Sequence, residues 1–175
     1  MMFHALETDR LLLKNISLDD TGFIFSEFSD DDVNEFLYDE EPMTDEKEAV
    51  DLINFYTCPE PREQHRWILI RKSDHVKIGT CGFHCWDRVH SAIEIGYDMK
   101  KPYWGNGYMQ EAVSAMIHFA KEDLKIKTLK AHIYEHNIRS MCLAEKQGFI
   151  FSGETIVYNF RGEEYLHKIY IKLLI

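Results

Sequence analysis

Apolar positions follow two rhythms along this chain. Between residues 108 and 124, Met109, Ala112, Val113, Met116, Ile117, Ala120 and Leu124 recur at intervals of 3, 1, 3, 1, 3 and 4. That is one face of an α-helix. Gln110, Glu111, Ser114, His118 and Lys121 lie off the stripe. A second helix is predicted over about residues 137–147, with Asn137 as N-cap and Gly148 as the C′ residue. Residues 10–16, 66–71, 76–86, 92–99 and 129–134 are rich in β-branched and aromatic side chains and predict strands. Residues 149–158 and 164–174 alternate on either side of Asn159-Phe160-Arg161-Gly162 and predict a hairpin. Residues 19–56 read as helical in pieces, with Asp19, Asp30 or Asp31, and Thr44 as candidate N-caps. The expected architecture is α/β: a mixed sheet covered by helices.

A length of 175 residues fits one domain, 1–175, large enough to bury a sizeable core. Cys58-Pro59-Glu60-Pro61 reads as a loop between the helical and sheet regions. Composition, 45% hydrophobic and 29% charged, excludes a disordered chain, a collagen-like repeat and a membrane-embedded bundle. No run approaches the roughly 18 apolar residues of a membrane span. Residues 1–10 show no basic segment followed by an apolar one, so no secretory signal is expected. Four cysteines, irregularly spaced, do not make a disulfide scaffold, and a reduced, cytoplasmic setting is expected.

Charge is divided unevenly. Residues 1–60 hold 17 acidic and 3 basic side chains, a balance of −14, whereas residues 61–175 balance at +4. The total of −10, with no basic stripe, argues against nucleic acid as a partner. The second part is a candidate for holding an anion, and the first for facing a cationic acceptor through Asp39, Glu40 and Glu41, unless it is simply a solvated acidic face.

The strongest chemical signal is Trp104-Gly105-Asn106-Gly107-Tyr108, after a predicted strand and at the head of the amphipathic helix. Two glycines permit a tight turn and a close approach of backbone to ligand. Free N–H groups and the helix dipole favour an anion there. A phosphate cradle and a plain turn both fit. There is no Gly-Lys-Ser/Thr, and Gln110 stands where a dinucleotide fingerprint has its third glycine, so the pyrophosphate of ATP or NAD is not the expected ligand.

At these residues the sequence resembles the GNAT N-acetyltransferase superfamily. Glu94-Ile95-Gly96-Tyr97, Pro102-Tyr103-Trp104-Gly105-Asn106-Gly107-Tyr108 and Glu111-Ala112 resemble its acetyl-CoA motif. Asn137-Ile138-Arg139-Ser140 and Glu145-Lys146-Gln147-Gly148-Phe149 resemble its second motif. Thr8-Asp9-Arg10-Leu11-Leu12-Leu13 is similar to the opening strand of the subgroup containing ribosomal-protein-alanine acetyltransferases. Pro102 replaces the family's usual Arg or Gln before the glycines.

The resemblance implies a single-domain α/β GNAT fold, with a mixed, largely antiparallel central sheet of about six or seven strands flanked by helices, and an N-acetyltransferase using acetyl-CoA (coenzyme A), with no metal. The acceptor would be a primary amine: a protein N-terminus, a polyamine or another small cationic amine. No membrane partner is implied, and a homodimer is. The pantetheine arm would pair with the backbone of Tyr97, Asp98 and Met99. The pyrophosphate would lie on Trp104, Gly105, Asn106, Gly107, Tyr108 and Met109. Asn137 and Ser140 would approach the thioester region, although Asn137 is equally explained as an N-cap. Lys146, with Lys100, Lys101 and Arg139, would neutralise phosphates or remain solvated.

Acyl transfer needs an N–H for the oxyanion, with the amide near Met99 as candidate. It also needs a base, because an ammonium is no nucleophile. Glu94 is the candidate, on the strand face it shares with Gly96 and Asp98; the alternative is an exposed strand carboxylate. Relatives often carry a Tyr seven residues after the Asn to protonate the leaving thiolate. Ala144 stands there, so Ser140 takes that role, with His136 and Tyr134 as substitutes. Cys81-Gly82-Phe83-His84-Cys85 lacks a second ligand cluster for zinc and reads as core packing, as does Cys142. The rival functional class is a non-catalytic acyl-CoA-binding module.

Overall fold

A computed structural model describes residues 2–38 and 40–174. Eight strands form one sheet in the order β1-β2-β3-β4-β5-β6-β8-β7. They are β1 (Leu6–Glu7), β2 (Leu11–Asn15), β3 (His65–Arg71), β4 (Lys77–Asp87), β5 (Ala92–Met99), β6 (Thr128–Tyr134), β7 (Ile150–Phe160) and β8 (Glu163–Leu173). Every neighbouring pair is antiparallel except β5 and β6. The expected six or seven strands become eight because β1 has two residues, too few to show alternation.

Alternation along β3 sorts the two faces. Trp67 and Leu69 enter the larger core, under α4 (Tyr108–Glu122), with Phe83, Met116 and Phe119. Ile68 enters the smaller core, under α1 (Thr21–Phe28) and α3 (Glu46–Thr57), with Ile24, Ile53 and Tyr56. A single turn, α2 (Asp31–Asn34), and α5 (Ile138–Lys146) complete the α-helices among the described residues. Asp30 and Asn137 cap α2 and α5 as expected, while Asp45 rather than Thr44 caps α3.

The acidic N-terminal layer is bound down by cations, several of them from the second part of the chain. Asp20, fully buried, meets Lys14 and Lys77 at 2.7 Å each. Asp32 pairs with Lys101, Glu35 with Arg139 and Glu41 with Arg161. The charge asymmetry therefore helps to attach the helical layer to the sheet, and Glu41 is neutralised in place. Glu40 is exposed, and Asp39 lies outside the described residues.

Candidate functional site

β5 runs for eight residues but pairs with β6 only from Ala92 to Glu94, opposite Thr128, Leu129 and Lys130. Beyond Glu94, β5 keeps its ladder to β4 and, among the described residues, has no strand partner on the β6 side. The two strands splay, and α5, which follows β6, starts across the gap. The Tyr97 hydroxyl on β5 lies 2.8 Å from the Ser140 hydroxyl on α5. A cleft of about 490 Å³ opens here. It is lined by Tyr97, Asp98, Met99, Trp104, Gly105, Gly107, Tyr108, Met109, Asn137, Ser140 and Lys146, every predicted cofactor position except Asn106.

The glycine turn closes one end. Gly105 and Gly107 have φ of 76° and 78°, a region that a Cβ disfavours. Trp104 donates from Nε1 to the Met99 carbonyl at 2.6 Å, anchoring the turn to the end of β5. The Asn106 amide folds back onto the carbonyls of Tyr103 and Trp104, at 3.1 and 3.0 Å, which is why that side chain does not line the cleft. Gly107 is the N-cap of α4 and brings no side chain to its first-turn N–H groups. Open space surrounds the position of a Cβ on Gly105. A long groove ending in uncapped N–H groups fits a carrier with a phosphorylated end and an extended arm.

At the other wall the Asn137 side chain accepts from the Ser140 N–H at 3.1 Å, so it caps α5 while lining the cleft. Burial pushes the Tyr97 hydroxyl up to about 12, against the opposing pull of Ser140. Among the predicted phosphate cations, Arg139 and Lys146 line the cleft. Lys100 is drawn to Ser26 and Lys101 to Asp32. Cys142, expected in the core, is exposed and lines the cleft instead.

Glu94 and the Asp98 carboxylate stand on the opposite face of β5. Arg66 donates to Asp98 at 2.8 Å and to Thr80 at 2.6 Å, and its Nη2 donates to the Tyr56 hydroxyl at 3.1 Å. Tyr56 in turn meets His84 Nδ1 at 3.0 Å. Glu27 of α1, fully buried beside Asp98, has its carboxyl pushed far up by burial and by the Asp98 charge. Glu27 is thereby biased to keep its proton, and the Asp98 carboxylate is taken up by Arg66 and Thr80.

Glu94 is half-buried, 3.7 Å from His132 Nε2. His132 Nδ1 reaches the Tyr158 hydroxyl at 2.9 Å. Cys85, expected to alternate inward with Cys81 and Phe83, has a φ of 48° at a register shift in β4 and is exposed beside Glu94. Burial, then Glu94 and Glu63, push its thiol up, which disfavours a thiolate nucleophile. A continuous wall of rings runs back to the cleft. Tyr158 contacts His167 (4.4 Å), His167 contacts Tyr134 (5.6 Å), and Tyr134 contacts Tyr38 (4.9 Å) and Phe36 (6.2 Å). Phe36 lines the cleft. His132 and Tyr134 were legible in principle, since β6 alternates half-buried and buried positions without a break.

A broader depression of about 670 Å³ lies on the far flank of α4. Glu7, Asp9, Glu111 and Asp123 line it, so it repels an anion.

Comparison with known proteins bears on the family and the fold. The family model described as an acetyltransferase (GNAT) domain matches residues 10–150. The uncharacterized N-acetyltransferase YoaA of Bacillus subtilis is 32% identical over 171 residues, covering 97% of this chain and 96% of that protein. The uncharacterized N-acetyltransferase p20 of Bacillus licheniformis is 31% identical, covering 85% and 84%. The crystal structure of spermidine N-acetyltransferase from Vibrio cholerae, in complex with CoA and spermine, superposes with a TM-score of 0.83 at 17% identity, covering 95% and 97%.

Proposed function

The chain belongs to the GNAT acetyltransferase family, enzymes whose acyl donor is acetyl-CoA, and from that premise we propose that it acetylates a primary amine by direct attack on the thioester bound in the β5–β6 cleft. The observation that carries this reading is the splay of the two strands, with a glycine turn at one end and Glu94 on the opposite face. When bound, acetyl-CoA supplies an activated acetyl carbonyl. The amides of Gly105, Gly107, Tyr108 and Met109 hold the pyrophosphate, with Trp104 and Asn106 shaping the turn and Lys146 adding charge. The backbone of Tyr97, Asp98 and Met99 aligns the pantetheine arm, and the amide near Met99 faces the developing oxyanion.

Glu94 takes the proton of the acceptor ammonium, directly or through water. Ser140, backed by the Tyr97 hydroxyl, protonates the leaving thiolate. Ala144, buried on α5, cannot do so. The raised thiol of Cys85 supports direct attack over a covalent cysteine intermediate.

The acceptor reaches Glu94 along the rings of Tyr38, Tyr134 and Tyr158. Electron-rich faces suit a cation, in keeping with a polyamine, a peptide N-terminus or another small cationic amine. Exposed Ile150, Phe151, Ile156 and Val157 on the edge strand β7 support a homodimer. The deciding experiment mixes purified protein and acetyl-CoA with a panel of amines and N-terminal peptides and measures released thiol. Thiol release with a cationic amine is expected. CoA binding without release for any amine would leave a binding module.

A further inference from the structure

A trans peptide unit is planar, so its C=O and N–H point in opposite directions. Whatever holds the Asn106 carbonyl therefore also aims the Gly107 N–H. That holder is Arg10, which directly precedes β2. Its Nη1 donates to the Asn106 carbonyl at 3.0 Å, across 96 residues of sequence. Its Nε donates to Glu111 Oε2 at 2.7 Å, and its backbone N–H donates to Glu111 Oε1 at 2.8 Å. The Thr8 hydroxyl donates to the same Oε1 at 2.5 Å. The guanidinium also lies 4.6 Å over the Tyr108 ring. A Cβ on Gly107 would come within 3.4 Å of Nη2.

The hydrogen bonds among these contacts join residues outside the cleft wall. Arg10, Asn106 and Glu111 are absent from the cleft wall, and Glu111 faces the depression on the other flank of α4. Burial raises Glu111, but the hydrogen bonds from Thr8 and Arg10 outweigh it and keep the carboxylate ionised. Arg10 thus neutralises a negative charge in the first turn of α4 while it grips that turn and the loop before it.

We propose that Arg10 is a positioning residue of the phosphate cradle: by holding the Asn106 carbonyl and the Glu111 carboxylate on the rear of the turn, it points the Gly107 amide into the cleft. The proposal rests on the reading that the turn receives the cofactor's phosphates.

The test is CoA affinity by calorimetry, with the NMR order parameter of the Gly107 amide in the free protein. Arg10→Ala is expected to weaken CoA about five- to tenfold, the loss of about one orienting hydrogen bond, and to lower the Gly107 order parameter. Arg10→Lys keeps the charge but cannot fork to both partners, so it does not restore affinity. Glu111→Ala also weakens binding, whereas charge alone would make it tighter. Restoration by Lys, tighter binding in Glu111→Ala or wild-type affinity in Arg10→Ala overturns the proposal. Arg10→Lys carries the comparison if the alanine variant is unstable. Gly105→Asp, built into open space, tests the underlying reading: wild-type CoA affinity there removes the cradle and the proposal with it. Lost binding there with normal binding in Arg10→Ala removes the proposal alone.

Discussion

The Tyr97 and Ser140 hydroxyls, 2.8 Å apart, join β5 to α5 across the gap that β6 leaves open. Tyr97 keeps its proton through neutral pH and can hold the Ser140 oxygen by a hydrogen bond, the arrangement in which Ser140 is proposed to give its own proton to the thiolate. Ser140→Ala and Tyr97→Phe are each expected to lower kcat about tenfold, with little change in CoA affinity. The double variant should be no slower than the worse single one, because both act on one proton path. Full activity in both single variants would leave water as the proton source.

Glu94, half-buried beside His132 and outside the cleft lining, is the base proposed above. Glu94→Gln is expected to lower kcat about a hundredfold at neutral pH and to spare CoA affinity. Turnover that matches the wild type would remove Glu94 from the mechanism. His132→Gln should cost less and shift the pH profile of kcat, since it contacts the carboxylate and not the reacting atoms.

Local patterns carried the sequence a long way here. The stripe from Met109 to Leu124 and the Asn137 and Gly148 punctuation placed both helices beside the cleft to within two residues. The glycine turn was readable because it is contiguous. What alternation could not supply is pairing between distant residues: Arg10 with Asn106, Arg66 with Asp98, Glu41 with Arg161. Nor could it foresee the left-handed residue at Cys85, which ends the inward-outward rhythm of β4 and turns an expected core thiol outward. Cys142 failed for a different reason. Its helix buries Met141 and Ala144 but leaves the face toward the cleft uncovered.

Gly96 stands opposite Gly82 on β4, where the His84 ring folds over the strand. A Cβ at Gly96 would lie 2.8 Å from His84 Nε2, and that ring is held by Tyr56. Gly96→Ala is expected to destabilise the fold by about 1–3 kcal/mol, read from the urea midpoint. In a His84→Ala background the same change should cost far less. Equal costs in both backgrounds would show that the ring is not the obstacle.

Two buried histidines, His65 and His84, and the buried carboxyl pair of Glu27 and Asp98, both raised by burial, make stability depend on pH. Burial, aided by Arg62 and Arg66 respectively, pulls His65 and His84 down to about 3 from 6.5. The unfolded chain takes up these protons as pH falls through 6.5 and the folded one does not, so stability is lost from there downward to about pH 3. Glu27 acts the other way. Its carboxyl keeps a proton that the unfolded chain releases above 4.5, so its contribution declines as pH rises. Between 4.5 and 6.5 two histidines outweigh one carboxyl, and above 6.5 the carboxyl acts nearly alone. Asp20 and Glu111, held low, add to the acid loss only below their unfolded values of 3.8 and 4.5. Stability measured by urea unfolding should peak near about pH 6.5 and decline on both sides. Glu27→Gln, which keeps a neutral donor toward Asp98, should flatten the alkaline decline and leave the acid one. Stability that stays level above pH 6.5, or an alkaline decline that survives Glu27→Gln, would mean that Glu27 does not hold the extra proton in the folded protein.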